Sequence, residues 1–170
     1  MTRTIDVETL RAVADRQAIA DLIYRYCRAV DRLDEELGAS IWHEDGEADY
    51  GELFRGGGKG WVAFTCEAHR QKVLKHSHQI TNMIIDVDGD CAASEAYVTA
   101  AARIMDDGRM KHWMLWGRYL DRWSYRGGRW GIDKRRYVED FSEVRDVVPT
   151  GVEQGRRDRT DPSYAIFRSP

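Results

Sequence analysis

The segment His76-Ser-His-Gln-Ile-Thr-Asn82 runs directly into Met-Ile-Ile-Asp-Val-Asp-Gly-Asp90, and this junction decides how we interpret the fold. It places His78 at the head of a stretch that becomes strongly apolar, as in a strand that enters a core. A buried imidazole without a hydrogen-bond partner costs about 1–3 kcal/mol, so His78 needs such a partner. We predict that the partner is Asp31, at the end of the first helix.

Upstream of this junction, apolar residues recur at steps of three and four, which predicts one long amphipathic helix over residues 7–31. Asp31 follows Cys27 by one helical turn, so its carboxylate projects near the apolar face of that helix. Two alternatives stay open from the pattern alone. The carboxylate could reach solvent, or it could pair with Arg28 or Arg32.

The segment between the first helix and the junction is predicted to hold two more helices and one strand. Its glycine run, residues 56–60, is not a phosphate-binding loop, because Gly60 rather than Ser or Thr follows Lys59. We interpret that run as a flexible connector. The predicted elements are a helix over Leu33–Ile41, a turn at Trp42–Gly46, a strand over Glu47–Phe54 and a helix from Trp61 to about Lys75.

After residue 76 the pattern changes to strands that are rich in Val, Ile, Thr, Tyr and Trp. Glycine-containing turns separate them, which indicates antiparallel hairpins. Three helices followed by such hairpins predict an α+β fold, in which a cone-shaped, curved antiparallel or mixed sheet packs on the helices. The predicted strands lie near residues 77–88, 91–105, 110–125 and 129–141.

The chain is predicted to form a single domain over residues 1–146, followed by a C-terminal tail over residues 147–170. The length of 170 residues and a hydrophobic content of 42% suit one domain with a sizeable core. The tail is polar and rich in turn residues, and it regains apolar character near its end. We expect it to pack on the mouth of the cone or on a neighbouring subunit, with disorder as the alternative.

Charge and cysteine content exclude several classes of function. The net charge of -3 gives no basic footprint for nucleic acid or an anionic membrane, and no apolar run is long enough for a membrane span. Cys27, Cys66 and Cys91 form an odd set without metal-binding spacing, so we expect reduced thiols. With no apolar leader at the N-terminus, these features predict a cytoplasmic protein.

A carboxylate that accepts a hydrogen bond from one imidazole nitrogen leaves the other nitrogen free to remove a proton, and it stabilises the resulting imidazolium. Asp31 and His78 would form such a dyad. A metal site is the alternative use of His78, together with His76 on the same strand face and His43 or a carboxylate. We expect no metal and no cofactor.

An arginine in the last predicted strand could hold a carboxylate, a phenolate or a developing oxyanion. Arg135 and Arg136 are the two candidates, and strand alternation alone does not decide which of them points inward, because a bulge would exchange the faces. Tyr26 lies about 140° around the helix from Asp31, so core packing is the alternative to a place in the site.

The order of several segments resembles one known family. These segments are Asp15 to Asp31, Ile41 to Asp45, His76 to Asn82, Gly117 to Arg122 and Trp130 to Phe141. Over residues 8–146 the chain resembles the SnoaL-like members of the nuclear transport factor 2-like superfamily. The resemblance implies a cystatin-like α+β barrel, a cone of curved sheet on three helices.

Within that superfamily the chain is most similar to the group of scytalone dehydratase, bile acid 7α-dehydratase and lindane dehydrochlorinase. These are cofactor-free lyases with a histidine–aspartate dyad, and Val30-Asp31-Arg32 and His78-Gln-Ile-Thr-Asn82 match the two motifs. The resemblance also puts Tyr26 at the position of a pocket tyrosine and Arg135 near an active-site arginine. It implies a homo-oligomer, with a trimer favoured over a dimer.

We therefore expect a lyase that acts on a small, hydrophobic, ring-containing substrate, with His78 as the base and Asp31 as its orienting partner. Tyr26 and Arg135 would bind or polarise a substrate oxygen. The expected walls of the site are Trp42, Tyr50, Phe54 and Trp116. The alternatives are an isomerase or an aldol-type cyclase in the same cone, a non-catalytic ligand-binding module and a metal-dependent enzyme.

Overall fold

A computed structural model describes residues 6–147 and 155–166. Within this part of the chain, no helix combines the length and the apolar character that crossing a membrane requires. The elements in chain order are α1 (Val7–Arg32), α2 (Glu35–Ser40), β1 (Trp42–Asp49), β2 (Arg55–Gly57), α3 (Gly58–Lys72), β3 (Val73–Asp88), β4 (Cys91–Asp106), β5 (Arg109–Arg126), β6 (Arg129–Asp146) and α4 (Ser163–Ile166).

Helix α1 has the predicted extent, and local chemistry fixes both of its ends. The Asp6 side chain accepts a hydrogen bond from the Thr9 backbone N–H at 2.7 Å, which satisfies one of the free donors at the N-terminus. The chain leaves the helix at Leu33 through a left-handed conformation with φ of 54°. The buried face of the last turns includes Asp31 together with Tyr26 and Cys27.

The segment Trp42–Gly46 is the start of strand β1, so the turn predicted there is wrong. Trp42 and His43 are buried and Trp42 pairs with Ile132 in the parallel β1–β6 ladder, so this segment is part of the sheet. The pairing shifts register between Trp42 and Glu47. Gly46 sits within this irregularity, where an added Cβ would lie 2.6 Å from the carbonyl oxygen of Ile132. Gly46 therefore marks a β-bulge, although the pair Asp45-Gly46 has the sequence of a turn.

The glycine run, residues 56–60, forms regular secondary structure, so the flexible connector predicted there is wrong. Residues 55–57 form the short strand β2, and α3 begins at Gly58 rather than at Trp61. An added Cβ on Gly58 would lie 1.9 Å from the ring of Trp42, so close packing of α3 on β1 requires a glycine here. The run is a packing contact and not a flexible connector.

The six strands form one curved sheet in the order β2-β1-β6-β5-β4-β3. Strands β3 to β6 pair as antiparallel hairpins, whose turns contain residues with positive φ at Gly89, Asp107, Gly108, Gly127 and Gly128. These turns are the predicted ones, and the α+β class with a curved mixed sheet is confirmed. The sheet does not close on itself, because β2 and β3 remain its two edges.

The described part of the C-terminal tail, residues 155–166, lies against the end of α1 and the start of β3. The guanidinium of Arg28 stands over the ring of Tyr164 at 4.7 Å. Arg157 donates a hydrogen bond to the carbonyl oxygen of His69 at 3.0 Å. The rest of the predicted tail, apart from residue 147, lies outside the described residues.

Candidate active site

His78 and Asp31 are joined by two hydrogen bonds, which come from different parts of the histidine. The ring Nδ1 lies 2.7 Å from Oδ1 of Asp31, and the backbone N–H of His78 donates to Oδ2 at 3.0 Å. The two side chains are 10% and 12% exposed. Both oxygens of the Asp31 carboxylate are therefore hydrogen-bonded to His78, and the carboxylate fixes the orientation of the imidazole ring.

The fold brings this pair together because α1 packs on β3, with the last turn of the helix beside the head of the strand. An anionic carboxylate that accepts from Nδ1 places the proton on that nitrogen and leaves the Nε2 lone pair available. No hydrogen bond from the described residues engages Nε2 of His78. The pair has the geometry of a base with an orienting carboxylate.

Two further histidines, His76 and His69, lie next to the dyad, and Nε2 of His76 is 3.8 Å from Oδ1 of Asp31. Nε2 of His76 lies 2.6 Å from the carbonyl oxygen of Val30, and the rings of His76 and His69 meet edge to face at 4.5 Å. Burial, followed by the charge on His78, lowers the pKa of His76 to about 4. Burial, followed by the charges on His76 and His78, lowers the pKa of His69 to about 3. Both rings are thus neutral near pH 7.

Asp31, His76 and His78 could also hold a metal ion, since one donor atom from each lies within 4.8 Å of the others. The donor types suit a transition metal such as zinc. Nε2 of His76 is engaged by a backbone carbonyl, however, and Nδ1 of His78 is engaged by Asp31. Of the two predicted third ligands, His43 or a carboxylate, the group contains a carboxylate, Asp31. His43 lies 2.9 Å from the carbonyl oxygen of Ser124 and is not a member of the group.

A second polar group, centred on Arg135, lies in the core of the cone. Its Nε and Nη2 donate to the two oxygens of Asp121 at 2.8 and 2.7 Å, and both side chains are 0% exposed. The guanidinium stands over the rings of Tyr26 and Tyr119 at 4.3 and 4.1 Å. Burial opposes the charge, but the neighbouring carboxylate of Asp121 raises the pKa of Arg135 well above its ordinary value.

Of the two candidate arginines, Arg135 is the one that points inward. Its Nη1 is buried and has no hydrogen-bond partner among the described residues. The Tyr26 hydroxyl accepts from Nε1 of Trp61 at 2.7 Å and lies 3.1 Å from the Tyr50 hydroxyl. Burial is the main cause that raises the pKa of Tyr26. The contact of Tyr26 and Arg135 with a substrate stays a prediction. In Arg135 the atom that would make this contact is Nη1.

The four predicted wall residues lie in different environments, and contact of Trp42, Tyr50 and Phe54 with a substrate stays a prediction. Trp42 is fully buried in the core, and Tyr50 and Phe54 pack on Trp61 with ring distances of 3.6 and 5.5 Å. His78 pairs with Ala100 and Ala100 pairs with Leu115, so these residues lie in one row across the sheet. Trp116 follows Leu115 directly in β5 and pairs with Thr99. Side chains of neighbouring positions point to opposite faces, so Trp116 lies on the outer face and the expectation that it lines the site is corrected.

The sheet surface beside His78 is formed by residues that sequence reasoning missed. His78 pairs with Ala100, and Ala100 pairs with Leu115, so these three share the inner face. Ala102 and Trp113 form the next row of that face. Small alanines beside His78 leave room on the surface of the sheet, and the run of alanines in β4 was the signal available in the sequence.

The sequence model of the SnoaL-like domain matches residues 11–136, and the chain belongs to this family. The family places it in the nuclear transport factor 2-like superfamily, as expected from the motifs. No curated protein gives a significant match.

Solved structures agree with the fold. A candidate scytalone dehydratase from Novosphingobium aromaticivorans is 24% identical, with 84% of this chain and 97% of that chain covered and a TM-score of 0.69. A hexachlorocyclohexane dehydrochlorinase from Novosphingobium barchaimii is 21% identical, with 83% and 99% covered and a TM-score of 0.74. A Mycobacterium tuberculosis protein described as of unknown function is 26% identical, with 76% and 74% covered and a TM-score of 0.62.

Proposed function

We propose that the protein is a cofactor-independent lyase in which His78 removes a proton from carbon. The observation that supports this most directly is the 2.7 Å contact between Nδ1 of His78 and Asp31, with Nε2 left unengaged by the described residues. A base must present a free lone pair and must be stabilised once it is charged, and the dyad meets both requirements.

The reaction follows from these positions. Nε2 of His78 takes a proton from a substrate carbon, and the electron pair of that C–H bond forms a double bond to the neighbouring carbon. The bond from this second carbon to the leaving group breaks, and the leaving group departs with its electrons. Asp31 stabilises the imidazolium, whose proton then passes to a leaving hydroxyl, which gives water, or to solvent.

The proposed substrate is a small, hydrophobic molecule that contains a ring. Leu115 and Trp113 supply apolar surface on the face of His78, and Ala100 keeps that surface open. Two of the structural relatives are described as a candidate scytalone dehydratase and as a hexachlorocyclohexane dehydrochlorinase. Nη1 of Arg135 is the proposed group for polarising a substrate oxygen.

An isomerase is the second candidate, because the same dyad could return the proton to another carbon of the substrate. The unengaged Nε2 serves both reactions equally. Product mass separates them, since elimination gives a product lighter by water or hydrogen chloride, whereas isomerisation leaves the mass unchanged.

The test is a screen of cyclic compounds that carry a hydroxyl or chlorine next to an acidic C–H bond, including a hexachlorocyclohexane. Products are followed by mass spectrometry. With a compound that turns over, His78→Ala and Asp31→Asn should each lower kcat by about 10²–10⁴-fold, because general-base catalysis contributes that much. The matched control is His112→Ala, which removes a histidine on the outer face. A His78→Ala enzyme with full activity would exclude the proposed mechanism.

A further inference from the structure

His76 is a buried histidine beside the dyad that the proposed reaction does not use. Its side chain is 2% exposed, and it points to the same face of β3 as His78, two positions along the strand. Nε2 of His76 lies 2.6 Å from the carbonyl oxygen of Val30. A carbonyl oxygen only accepts hydrogen bonds, so Nε2 carries the proton and Nδ1 is the bare nitrogen of the neutral ring.

Packing alone does not account for a histidine at position 76. Nδ1 of His76 is buried and has no hydrogen-bond partner among the described residues. The ring meets the ring of His69 edge to face at 4.5 Å and the ring of His78 at 5.7 Å, and an apolar side chain would also fill this space. A bare buried nitrogen destabilises a fold, so an apolar residue would suit packing better. What the histidine adds is the hydrogen-bond donor at Nε2.

The acceptor of this hydrogen bond, the carbonyl oxygen of Val30, lies at the C-terminal end of α1. The last four carbonyls of a helix have no partner within the helix. The backbone N–H of Leu33 donates to Val30 at 3.1 Å, where the chain leaves the helix. His76 adds a second hydrogen bond from the sheet. The same oxygen is therefore held by the end of the helix and by β3.

This second hydrogen bond fixes the backbone from which Asp31 projects. The carbonyl of Val30 belongs to the planar peptide that joins Val30 to Asp31, so its direction determines where the Cα of Asp31 lies. The carboxylate of Asp31 is held separately by Nδ1 of His78 at 2.7 Å and by the backbone N–H of His78 at 3.0 Å. Strand β3 thus holds both the main chain and the side chain at Asp31.

We propose that His76 is a positioning residue, which fixes Asp31 through the carbonyl of Val30 and so keeps the Nδ1 proton of His78 on the carboxylate. The donor must be neutral, because a cationic side chain at this place would compete with His78 for Oδ1 of Asp31, which is 3.8 Å from Nε2 of His76. The effect of His76 on turnover rests on the proposed function, whereas its effect on the dyad can be measured without a substrate.

Three variants separate the hydrogen-bond donor from the ring. His76→Leu fills the space without a donor, and His76→Gln keeps a side-chain N–H that can reach Val30. The matched control, His69→Leu, removes the neighbouring ring but not the bond to Val30. The readout is the rate at which the Nδ1 proton of His78 exchanges with solvent in ¹H–¹⁵N spectra. We expect about tenfold faster exchange in His76→Leu, as for the loss of one hydrogen bond, and wild-type exchange in the other two variants.

Turnover gives a second readout once the screen has found a compound that reacts. His76→Leu should lower kcat by about 10–100-fold, because a misplacement of about 1 Å in reacting groups costs up to about 100-fold. KM should change by less than about twofold, since His76 does not contact the substrate in this account. His76→Gln should recover most of the lost kcat.

Wild-type exchange in a folded His76→Leu protein would overturn the proposal. Equally fast exchange in His76→Gln would do the same, because the ring and not the donor would then matter, and equally fast exchange in His69→Leu would indicate packing. Thermal unfolding shows whether each variant is folded. If His76→Leu does not fold, the wild-type protein still decides, since His76 must carry its proton on Nε2 and a proton on Nδ1 would refute the role.

The positioning role and the lyase mechanism fail in different experiments. A fully active His78→Ala enzyme would exclude the lyase mechanism and leave the exchange result for His76→Leu standing. Unchanged exchange in His76→Leu, together with an inactive His78→Ala enzyme, would exclude the positioning role alone.

Discussion

Replacement of Asp121 by Asn should destabilise the protein strongly, because it removes the carboxylate that compensates the charge of the buried Arg135. Both side chains are 0% exposed, and two hydrogen bonds of 2.8 and 2.7 Å join them. Within the described chain, no other carboxylate forms an ion pair with Arg135. Loss of one partner of a buried ion pair costs about 3–5 kcal/mol.

That cost is a large part of the total, since a domain has about 5–15 kcal/mol of stability. For a domain of this size it corresponds to a fall in Tm on the order of 10 °C. Urea unfolding followed by tryptophan fluorescence gives the free energy of unfolding. The control is the double variant Asp121→Leu with Arg135→Met, which removes both charges and should lie within about 1–2 kcal/mol of the wild type.

A cost below about 1 kcal/mol for Asp121→Asn, which is the range of an exposed pair, would mean that another group already compensates the charge of Arg135. A double variant no more stable than Asp121→Asn would mean that the uncompensated charge of Arg135 is not the source of the cost. Either result would contradict the prediction.

The buried histidines and the glycine contact give two further predictions. His69 and His76 have pKa values of about 3 and about 4 when folded, against 6.5 as the ordinary value, so only the unfolded chain binds their protons between these limits. The free energy of unfolding should therefore fall as the pH drops below about 6.5, by up to about 2–3 kcal/mol per pH unit for the two histidines together. Urea unfolding at about pH 5 and about pH 7.5 measures this pH dependence. The same pH dependence in His76→Gln would contradict the prediction. Gly58→Ala should cost about 1–3 kcal/mol of stability, because the added methyl group would overpack against Trp42. Gly60→Ala should be neutral or stabilising, because its added Cβ would lie 3.7 Å from the ring of Phe54. Equal effects of the two variants in thermal unfolding would contradict this prediction.

Most of the fold was predictable because long elements repeat their pattern many times. Helix α1 and the strands β3 to β6 were recognisable from periodicity and from glycine-containing turns. The pairing of Asp31 with His78 was predictable for a different reason. Asp31 was a charged exception on an apolar face and needed a partner. The pattern alone also allowed solvent, Arg28 or Arg32, and the resemblance of the two motifs to a histidine–aspartate dyad selected His78.

The start of strand β1, Trp42–Gly46, was missed because its sequence uses turn residues inside the sheet. The strand predicted over Glu47–Phe54 covers only the end of β1, which stops at Asp49. Asp45-Gly46 looks like the end of a segment, but Gly46 occupies an irregular pairing next to the backbone of Ile132. Pairing with β6 in a parallel register is a long-range property. No local pattern around Trp42 indicates it.

The face of Arg135 was undetermined from sequence because a single bulge decides it. Trp130 and Ile132 point inward, so strict alternation would also turn Lys134 and Arg136 inward. The pairing of β5 with β6 shifts register between Ile132 and Lys134, which exchanges the faces and buries Arg135. Trp116 was predicted to line the site for a related reason, because only the alternation of side chains along β5 separates it from Leu115.

The most direct test of the central claim is the position of the proton on the neutral ring of His78. Long-range ¹H–¹⁵N correlation spectra of the imidazole nitrogens, assigned with the His78→Gln variant, report this position above the titration range of the ring. We predict the proton on Nδ1 and an unprotonated Nε2, with the Nδ1 preference lost in Asp31→Ala. A proton on Nε2 in the wild-type protein would contradict the account, because the nitrogen that must accept the substrate proton would already be occupied.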